Sequence, residues 1–394
     1  MKRIFFLTLV LILVSGMLLD VCTSLAASPT AYKWPATLEF LSPKIEEARY
    51  QQLLSWAPLL EQSTKTKVRL ISEESLATKT RWMKQGRYPF NSEGGGAFSL
   101  TVEARRQYAA KDLGPVPWRA LWNMTTGSLG FVVQADSPIK TMADIKPGLK
   151  IGIPGGLTAV SESWDGFLAW NNLKQADMKV IPFGDWPSAS TTLIEGKVDV
   201  AYVSAASPYM LEIASGPHGV RFLEMNPMKD PEGAKRFLNL KPTQGFAPCS
   251  IGIKEAIGVM MLAVPTPMYT IPETDAELVY NLVKWWGENY DLYKGKHPQN
   301  VDMRKEAQRV FLDQTFLPIH DGAVKYFKEI GMWTPKDDKA QQENIALQNK
   351  YMKAWAAAVA EAQKQNITID PNNKQWMNLW ESYTKDIPLL KTRI

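Results

Sequence analysis

The sequence predicts an α/β protein built as a two-lobed clamp, and three observations support this fold class. Short apolar stretches alternate with amphipathic helical patterns from residue 36 to about residue 260, which is typical of a sheet covered by helices. The chain of 394 residues is long enough to bury two hydrophobic cores. Two apolar stretches, 129–133 and 256–269, flank the second part of this alternation. If one leads into a second lobe and the other leads back, the two strands form a hinge.

The first part of the chain contains two strand–helix units. The stretches 36–42 and 67–72 are short and rich in apolar residues, which predicts strands. A helical pattern follows each of them, at 46–64 and at 74–86. This order favours a mostly parallel sheet, because a helix is the usual connection between two parallel strands.

The second part repeats the pattern with shorter elements. A turn at Gly155 and Gly156 separates a strand at 150–153 from a helix that begins near Thr158. A strong amphipathic helix at 274–293 closes the pattern. Between them, the remaining predicted elements in chain order are strand 179–183, helix 186–197, strand 198–203, helix 207–215 and strand 256–269.

These elements divide the chain into four predicted segments. We predict a signal peptide at 1–27, a discontinuous first lobe at 28–128 plus 265–335, a second lobe at 129–264 and a helical C-terminal extension at 336–394. In the extension, aromatic residues recur at helical spacing. We expect most of them to pack against the lobes rather than to form a surface for a partner.

The first residues have the pattern of an export signal. Two basic residues precede an apolar stretch at 4–14, and the small residues Ser24, Ala26 and Ala27 are placed for cleavage. A lipid anchor at Cys22 is the alternative, but Asp20 before it is unfavourable for lipoprotein processing. We therefore expect a periplasmic protein that is exported by a cleaved N-terminal signal peptide.

Composition and motifs argue against a nucleic-acid binder and against an enzyme. The formal net charge is +5 and dispersed, and the basic residues between 69 and 106 are interpreted mainly as a solvated surface. After signal cleavage Cys249 is the single cysteine, and the three histidines lack metal-ligand spacing. No GxSxG, HExxH or GxxxxGK[ST] motif occurs. We expect no nucleic-acid partner, no cofactor, no metal and no catalytic residue.

The stretch IPGGLTA, which contains Gly155, Gly156 and Thr158, is the most informative local signal. One interpretation is that the glycines permit a strand-to-helix turn and that Thr158 is the N-cap. The other is an anion site, because a capping box is absent and backbone N–H groups at the helix start stay free for a ligand. The spacing is not GxGxxG, so a dinucleotide is disfavoured.

A second candidate loop follows the predicted strand at 198–203. Ser204 and Ser207 stand at its end, just before a helix that begins near Pro208. These hydroxyl groups are either helix caps or ligand contacts. Ligands of open α/β sheets bind at the carboxyl ends of strands, so this loop and the loop at Gly155 are expected at the same edge.

Four stretches in this order resemble the TAXI family of receptors for TRAP transporters, which are exported proteins of the periplasmic-binding-protein class. The stretches are WRALWNMTTGSLGFVVQADSPIKTMADIKPGLKIGIPGG, LIEGKVDVAYV, AVPTPMYTIPETDAELVYNLVKWWGEN and FLPIHDGAVKYFKEIGMW. The resemblance covers residues 36–333. It departs from the family after the first strand, where SPKIEEARYQQ replaces a Gly-Gly-Thr-Tyr-Tyr turn.

The resemblance implies a receptor that closes two lobes on a small organic anion, typically a carboxylate, and delivers it to the permease subunits of a TRAP-type transporter. The alternatives are a receptor of an ATP-driven importer or of a signalling pathway with the same fold, or a periplasmic enzyme. The ligand-binding residues that it implies are Ser42, Tyr50 (a remnant of the family's turn), Ser72, Gly155, Gly156, Thr158 and Ser204.

Overall fold

The computed structural model describes residues 32–393 and has mixed α/β architecture, which confirms the predicted fold class. The predicted signal peptide at 1–27 lies outside the described residues. The strands are β1 Thr37–Ser42, β2 Lys67–Ser72, β3 Phe90–Ser92, β4 Arg119–Val133, β5 Lys150–Pro154, β6 Lys179–Phe183, β7 Ala201–Ser204, β8 Arg221–Leu223, β9 Gly245–Pro248 and β10 Met260–Thr270.

Helices connect and cover these strands. They are α1 Ala48–Thr64, α2 Leu76–Lys84, α3 Gly95–Val102, α4 Thr158–Trp170, α5 Trp186–Thr191, α6 Tyr209–Ser215, α7 Pro231–Leu240, α8 Ala276–Glu288, α9 Tyr290–Tyr293, α10 Lys305–Gln314, α11 Asp321–Glu329, α12 Pro335–Lys364 and α13 Lys374–Thr384. Within residues 32–393, none of them is long and apolar enough to cross a membrane.

The expectation of a mostly parallel sheet is wrong for the main sheet. β1 is parallel to β2 and to β3, as the strand–helix units predict. However, β10 is antiparallel to β3, β4 and β9, and β4 is antiparallel to β7 and β8. The physical reason is that the two long strands, β4 and β10, run between the lobes in opposite directions. They therefore pair antiparallel with each other and with the strands at their edges. β5 and β6 form a separate parallel pair.

Strands β4 and β10 join two lobes, each with its own core. They pair from Leu129 opposite Leu262 to Arg119 opposite Thr270. One end of β4, with Trp122, belongs to the core of the first lobe, which also contains β1–β3, α1 and α8. The other end, with Phe131, belongs to the cores of the second lobe around α4 and α6. The residue boundaries of the predicted segments stay predictions.

The C-terminal extension is helical and packs on the first lobe. A capping box at Thr334 and Asp337 begins α12, and Pro335 occupies its first turn, where its missing N–H costs nothing. Trp376 and Trp380 of α13 are 0% and 3% exposed and belong to the first-lobe core. The extension therefore contributes large aromatic side chains to that core.

Candidate functional site

A cleft lies where the carboxyl ends of strands from both lobes meet. Its free volume is about 1010 Å³, counting the part open to solvent. The segments that follow β1, β2 and β3 line it on the first-lobe side, and those that follow β5, β6 and β7 line it on the second-lobe side. Its floor is formed by the middle of β4 and β10, through Thr125, Gly127, Leu129, Val264 and Thr266.

The second-lobe wall of the cleft is the N-terminus of α4. Gly156 has a φ of +75°, a conformation that glycine adopts without strain, and it turns the chain from β5 into the helix. The N-cap is Leu157 rather than Thr158, and no side chain caps the helix. Among the described residues, no acceptor takes the backbone N–H groups of residues 156–159. These donors and the helix dipole favour a negatively charged group.

The first-lobe wall carries three glutamates, Glu47, Glu74 and Glu93, and each follows the carboxyl end of a parallel strand. Arg49 lies among them, with its Nη2 2.8 Å from Oε1 of Glu93 and 3.3 Å from Oε2 of Glu47. Lys79, whose side chain is fully buried, lies 2.5 Å from Oε2 of Glu93. The wall thus combines carboxyl groups with one fully buried cation, Lys79, and one partly buried cation, Arg49.

The glutamates differ in the charge that they carry. Burial by itself would raise the pKa of Glu93, but the charges of Arg49 and Lys79 lower it to about 2. At Glu47, burial outweighs the effect of nearby positive charge. It raises the pKa of this carboxyl to about 7, although the charge of Arg49 acts in the opposite direction. Near neutral pH, Glu93 is therefore ionised and Glu47 is divided between its two forms.

Two further groups of contacts border the cleft. Lys44 of the first lobe lies 2.8 Å from the carboxylate of Asp185 in the second lobe, and the backbone N–H of Trp186 donates to Glu74 at 3.3 Å. Inside the cleft, Gln244 and Gln299 are 5% and 3% exposed. Among the described residues, Oε1 of each glutamine lacks a hydrogen-bonding partner, so both can accept a hydrogen bond from a bound solute.

Three of the seven sequence-predicted site residues line this cleft. Gly156, Thr158 and Ser204 come together there from the loops after β5 and β7. Gly155 lies next to them but not on the lining, because its N–H donates to the Phe183 carbonyl at 2.9 Å and continues the parallel pairing. Their role in binding stays a prediction.

The other predicted residues lie away from the cleft lining. Ser42 is fully buried and its hydroxyl donates to the Ile71 carbonyl, while Ser72 donates to the Pro43 carbonyl, so both tie β1 to β2. Tyr50 lies in a separate groove between α1 and β2. The structure therefore does not group these three residues with Gly156.

Sequence reasoning missed the charged wall of the first lobe. Glu47, Arg49, Glu74 and Glu93 are absent from the predicted set, yet all four line the cleft. A signal was available for two of them, because Glu47 and Glu74 come within five residues after the predicted strands. For Glu93 the signal was weaker, since the three-residue strand β3 before it was not predicted.

The comparison with protein-family models assigns the chain to a family. The model of the NMT1-like family matches residues 60–331, from the end of α1 to the end of α11, which is more than half of the chain. The chain belongs to the NMT1-like family. The match leaves out the C-terminal extension, and the more specific TAXI resemblance stays a prediction. A search of curated proteins finds no match.

Several solved structures are similar to this NMT1-like chain. The periplasmic aliphatic sulphonate binding protein of Escherichia coli is 16% identical, over 80% of this chain and 87% of that one, with a TM-score of 0.42. A binding protein component of a phosphonate transporter from Pseudomonas aeruginosa is 13% identical, over 83% and 99%, with a TM-score of 0.41. A structure described as a periplasmic transporter is 14% identical, over 85% and 98%, with a TM-score of 0.45.

Proposed function

We propose that this chain is a periplasmic solute-binding receptor without enzymatic activity, which closes its two lobes on a small organic anion and delivers it to a membrane permease. The observation that carries the proposal is the start of α4. Residues 156–159 line the interlobe cleft, and none of their backbone N–H groups has an acceptor among the described residues. A ligand carboxylate satisfies these donors and the positive end of the helix dipole.

The first-lobe wall also suits an organic anion, and it limits which organic anions fit. Arg49 lies at the cleft surface and holds two carboxyl groups, so only part of its charge is available to a ligand. The carbonyl-type acceptors of Gln244 and Gln299 suit hydroxyl or amide donors on the ligand. The proposed solute is therefore a small carboxylate that also carries hydrogen-bond donors.

A thermal-shift screen tests the proposal. The panel consists of small organic acids, each paired with its uncharged amide. A bound acid at a hundredfold excess over Kd stabilises the folded chain by about 2.7 kcal/mol, so the melting temperature rises with acid concentration. The amides should produce little shift. If no acid stabilises the protein while the amides or organic amines do, the proposed anion receptor is wrong.

The transporter that receives the solute is proposed to be of the TRAP type, which rests on the resemblance of four stretches to the TAXI family. Vesicles that contain the candidate permease distinguish this transporter from an ATP-driven importer. Uptake should require the receptor and an ion gradient and should continue without ATP. Uptake that requires ATP and no gradient would assign the receptor to the alternative transporter.

Affinity for an organic acid should fall several-fold between about pH 6 and about pH 8. The reason is the buried carboxyl of Glu47, whose pKa is raised to about 7 by burial. Below this pH the carboxyl is mostly neutral and tolerates a second carboxylate, whereas above it the two charges repel each other. Calorimetric titration of the best acid from the screen, at several pH values, measures the effect.

Glu47→Gln is the matched variant for this measurement, because it keeps the shape of the side chain and removes the titration. Its affinity should be nearly constant over the same range. If the wild-type affinity instead rises with pH, Glu47 binds a protonated nitrogen of the solute as a carboxylate, and the charge assignment of the ligand must be reversed.

A further inference from the structure

The C-terminal extension holds the loop between α3 and β4. The indole N–H of Trp380 donates to the carbonyl of Ala104 at 2.9 Å, and that of Trp376 donates to the carbonyl of Ala109 at 2.7 Å. Both rings pack edge-on against Trp355 of α12, with ring centroids 5.1 and 5.2 Å away. The extension is thus hydrogen-bonded to both ends of this loop, which we call the 104–109 loop.

This loop has a strained backbone. Ala104 and Arg106 have φ values of +46° and +52°, although neither is glycine. Residues with a Cβ rarely adopt this region, and they do so where the surroundings hold them. Here the surroundings include two indole donors and the backbone N–H of Leu390, which donates to the buried carboxyl of Glu103 at 2.7 Å. Contacts from the extension are therefore among those that hold the loop in this shape.

The side chains of the same loop reach across to the second lobe. Arg105 forms an ion pair with Glu162 of α4 at 2.8 Å, and Arg106 forms one with Asp165 at 2.8 Å. Gln107 donates to the carbonyl of Gly156 at 3.0 Å. All three contacts are made to α4 or to the turn before it, so they fix the helix start that faces the cleft.

The interlobe contacts include an unusually buried partner. The side chain of Glu162 is 3% exposed and also lies 3.3 Å from Nζ of Lys241, which is 2% exposed. Next to Lys241, the carbonyl of Pro242 accepts the backbone N–H of Thr392 from the end of the extension. Cationic partners of this kind offset the cost of burying a carboxylate. The extension therefore contacts both the 104–109 loop, which carries Arg105, and the segment next to Lys241.

From these contacts we infer that the C-terminal extension controls closure of the cleft, with Trp376 and Trp380 as positioning residues. They hold the 104–109 loop in the strained shape in which Arg105, Arg106 and Gln107 secure α4 against the first lobe. The inference rests on the proposed function, because closure matters for a receptor of a small solute. The family match ends at residue 331, so the extension is an addition to the matched part of the chain.

Trp380→Phe tests this inference without a ligand. The substitution keeps an aromatic ring beside Trp355 and removes the N–H donor to Ala104. Hydrogen–deuterium exchange is measured at two segments, 103–109 and 160–161. The N–H groups of Val160 and Ser161 both donate to the carbonyl of Leu157 at 3.0 Å, so their exchange reports on opening of the start of α4. We expect exchange to be about threefold faster or more in both segments, with a larger radius of gyration by small-angle scattering.

Trp333→Phe is the matched control. It removes an indole N–H that donates to Asp338 at 2.7 Å at the exposed start of the extension, and it should change neither segment. Faster exchange at 103–109 alone, with an unchanged radius of gyration, would mean that Trp380 is merely structural and that the inference is wrong.

A second variant covers the case in which Trp380→Phe fails to fold. Arg106→Gln removes the ion pairs with Asp165 at 2.8 Å and with Glu162 at 3.5 Å, and its side chain is 45% exposed, so no apolar side chain of the core is changed. It should accelerate exchange at 160–161 and leave the contacts of the extension in place. Unchanged exchange there would contradict the inference. Since neither readout needs a solute, failure of the organic-acid screen would overturn the proposed ligand and leave this result standing.

Discussion

Gly156→Asp should weaken binding of the organic acid at least tenfold, which corresponds to about 1.4 kcal/mol. Gly156 lines the cleft, and no heavy atom lies within 4 Å of a Cβ built on it, so the new side chain fits without displacing its neighbours. Its carboxylate then competes with the solute for the free N–H groups of α4 and repels a second negative charge. Isothermal titration calorimetry with the best acid from the screen measures the loss.

Gly148→Asp is a closely matched control. Gly148 also has a positive φ, of +87°, and also has no atom within 4 Å of a built Cβ. It is exposed and lies before β5, whereas Gly156 follows that strand. Both variants therefore introduce the same charge and the same backbone strain. Equal loss of affinity in both variants would indicate a general effect on the fold. Unchanged binding in Gly156→Asp would mean that the binding site lies elsewhere.

The elements that the sequence predicted well are those with a local cause. The predicted strands at 36–42 and 67–72 correspond to β1 and β2 within one residue, because their apolar stretches end in clear turn signals. The helix start at Thr158 is also correct, since the glycines before it define the turn. Local patterns of this kind do not depend on the rest of the fold.

The features that the sequence did not reveal depend on contacts between distant segments. Lys79 was interpreted as part of a solvated surface, but it is fully buried, because Glu93 compensates its charge from the end of β3. The long β4 was predicted only over its last residues, at 129–133. Its first part is recognisable as a strand once β10 pairs with it. Partner strands and ion pairs are tertiary information, which periodicity does not contain.

The charged wall of the cleft is the clearest example. Glu47 and Glu93 are separated by more than forty residues in the chain, and Arg49 joins them only because β1 and β3 are parallel neighbours. The family resemblance directed attention to Ser42, Tyr50 and Ser72 in the same region. A resemblance transfers positions along a chain, whereas the lining of a cleft depends on which way each side chain points.

Trp376→Ala should lower the free energy of unfolding by about 3–5 kcal/mol, which is the usual range for removal of a buried tryptophan. Trp376 is 0% exposed and packs against Trp355 and Trp380. Its replacement leaves a cavity and also removes the donor to the carbonyl of Ala109. Urea unfolding followed by circular dichroism gives the difference in free energy.

Tyr383→Ala on the same helix is the control for this effect. Tyr383 is 36% exposed, so its loss should change the free energy of unfolding by roughly 0.5 kcal/mol or less. A large difference between the two variants means that α13 is part of the first-lobe core. If Trp376→Ala is as mild as Tyr383→Ala, the helix contributes little to stability, and its tryptophans serve a partner such as the permease instead. Because the loss of a few kcal/mol is a large fraction of the stability of a typical domain, the two outcomes are easily distinguished.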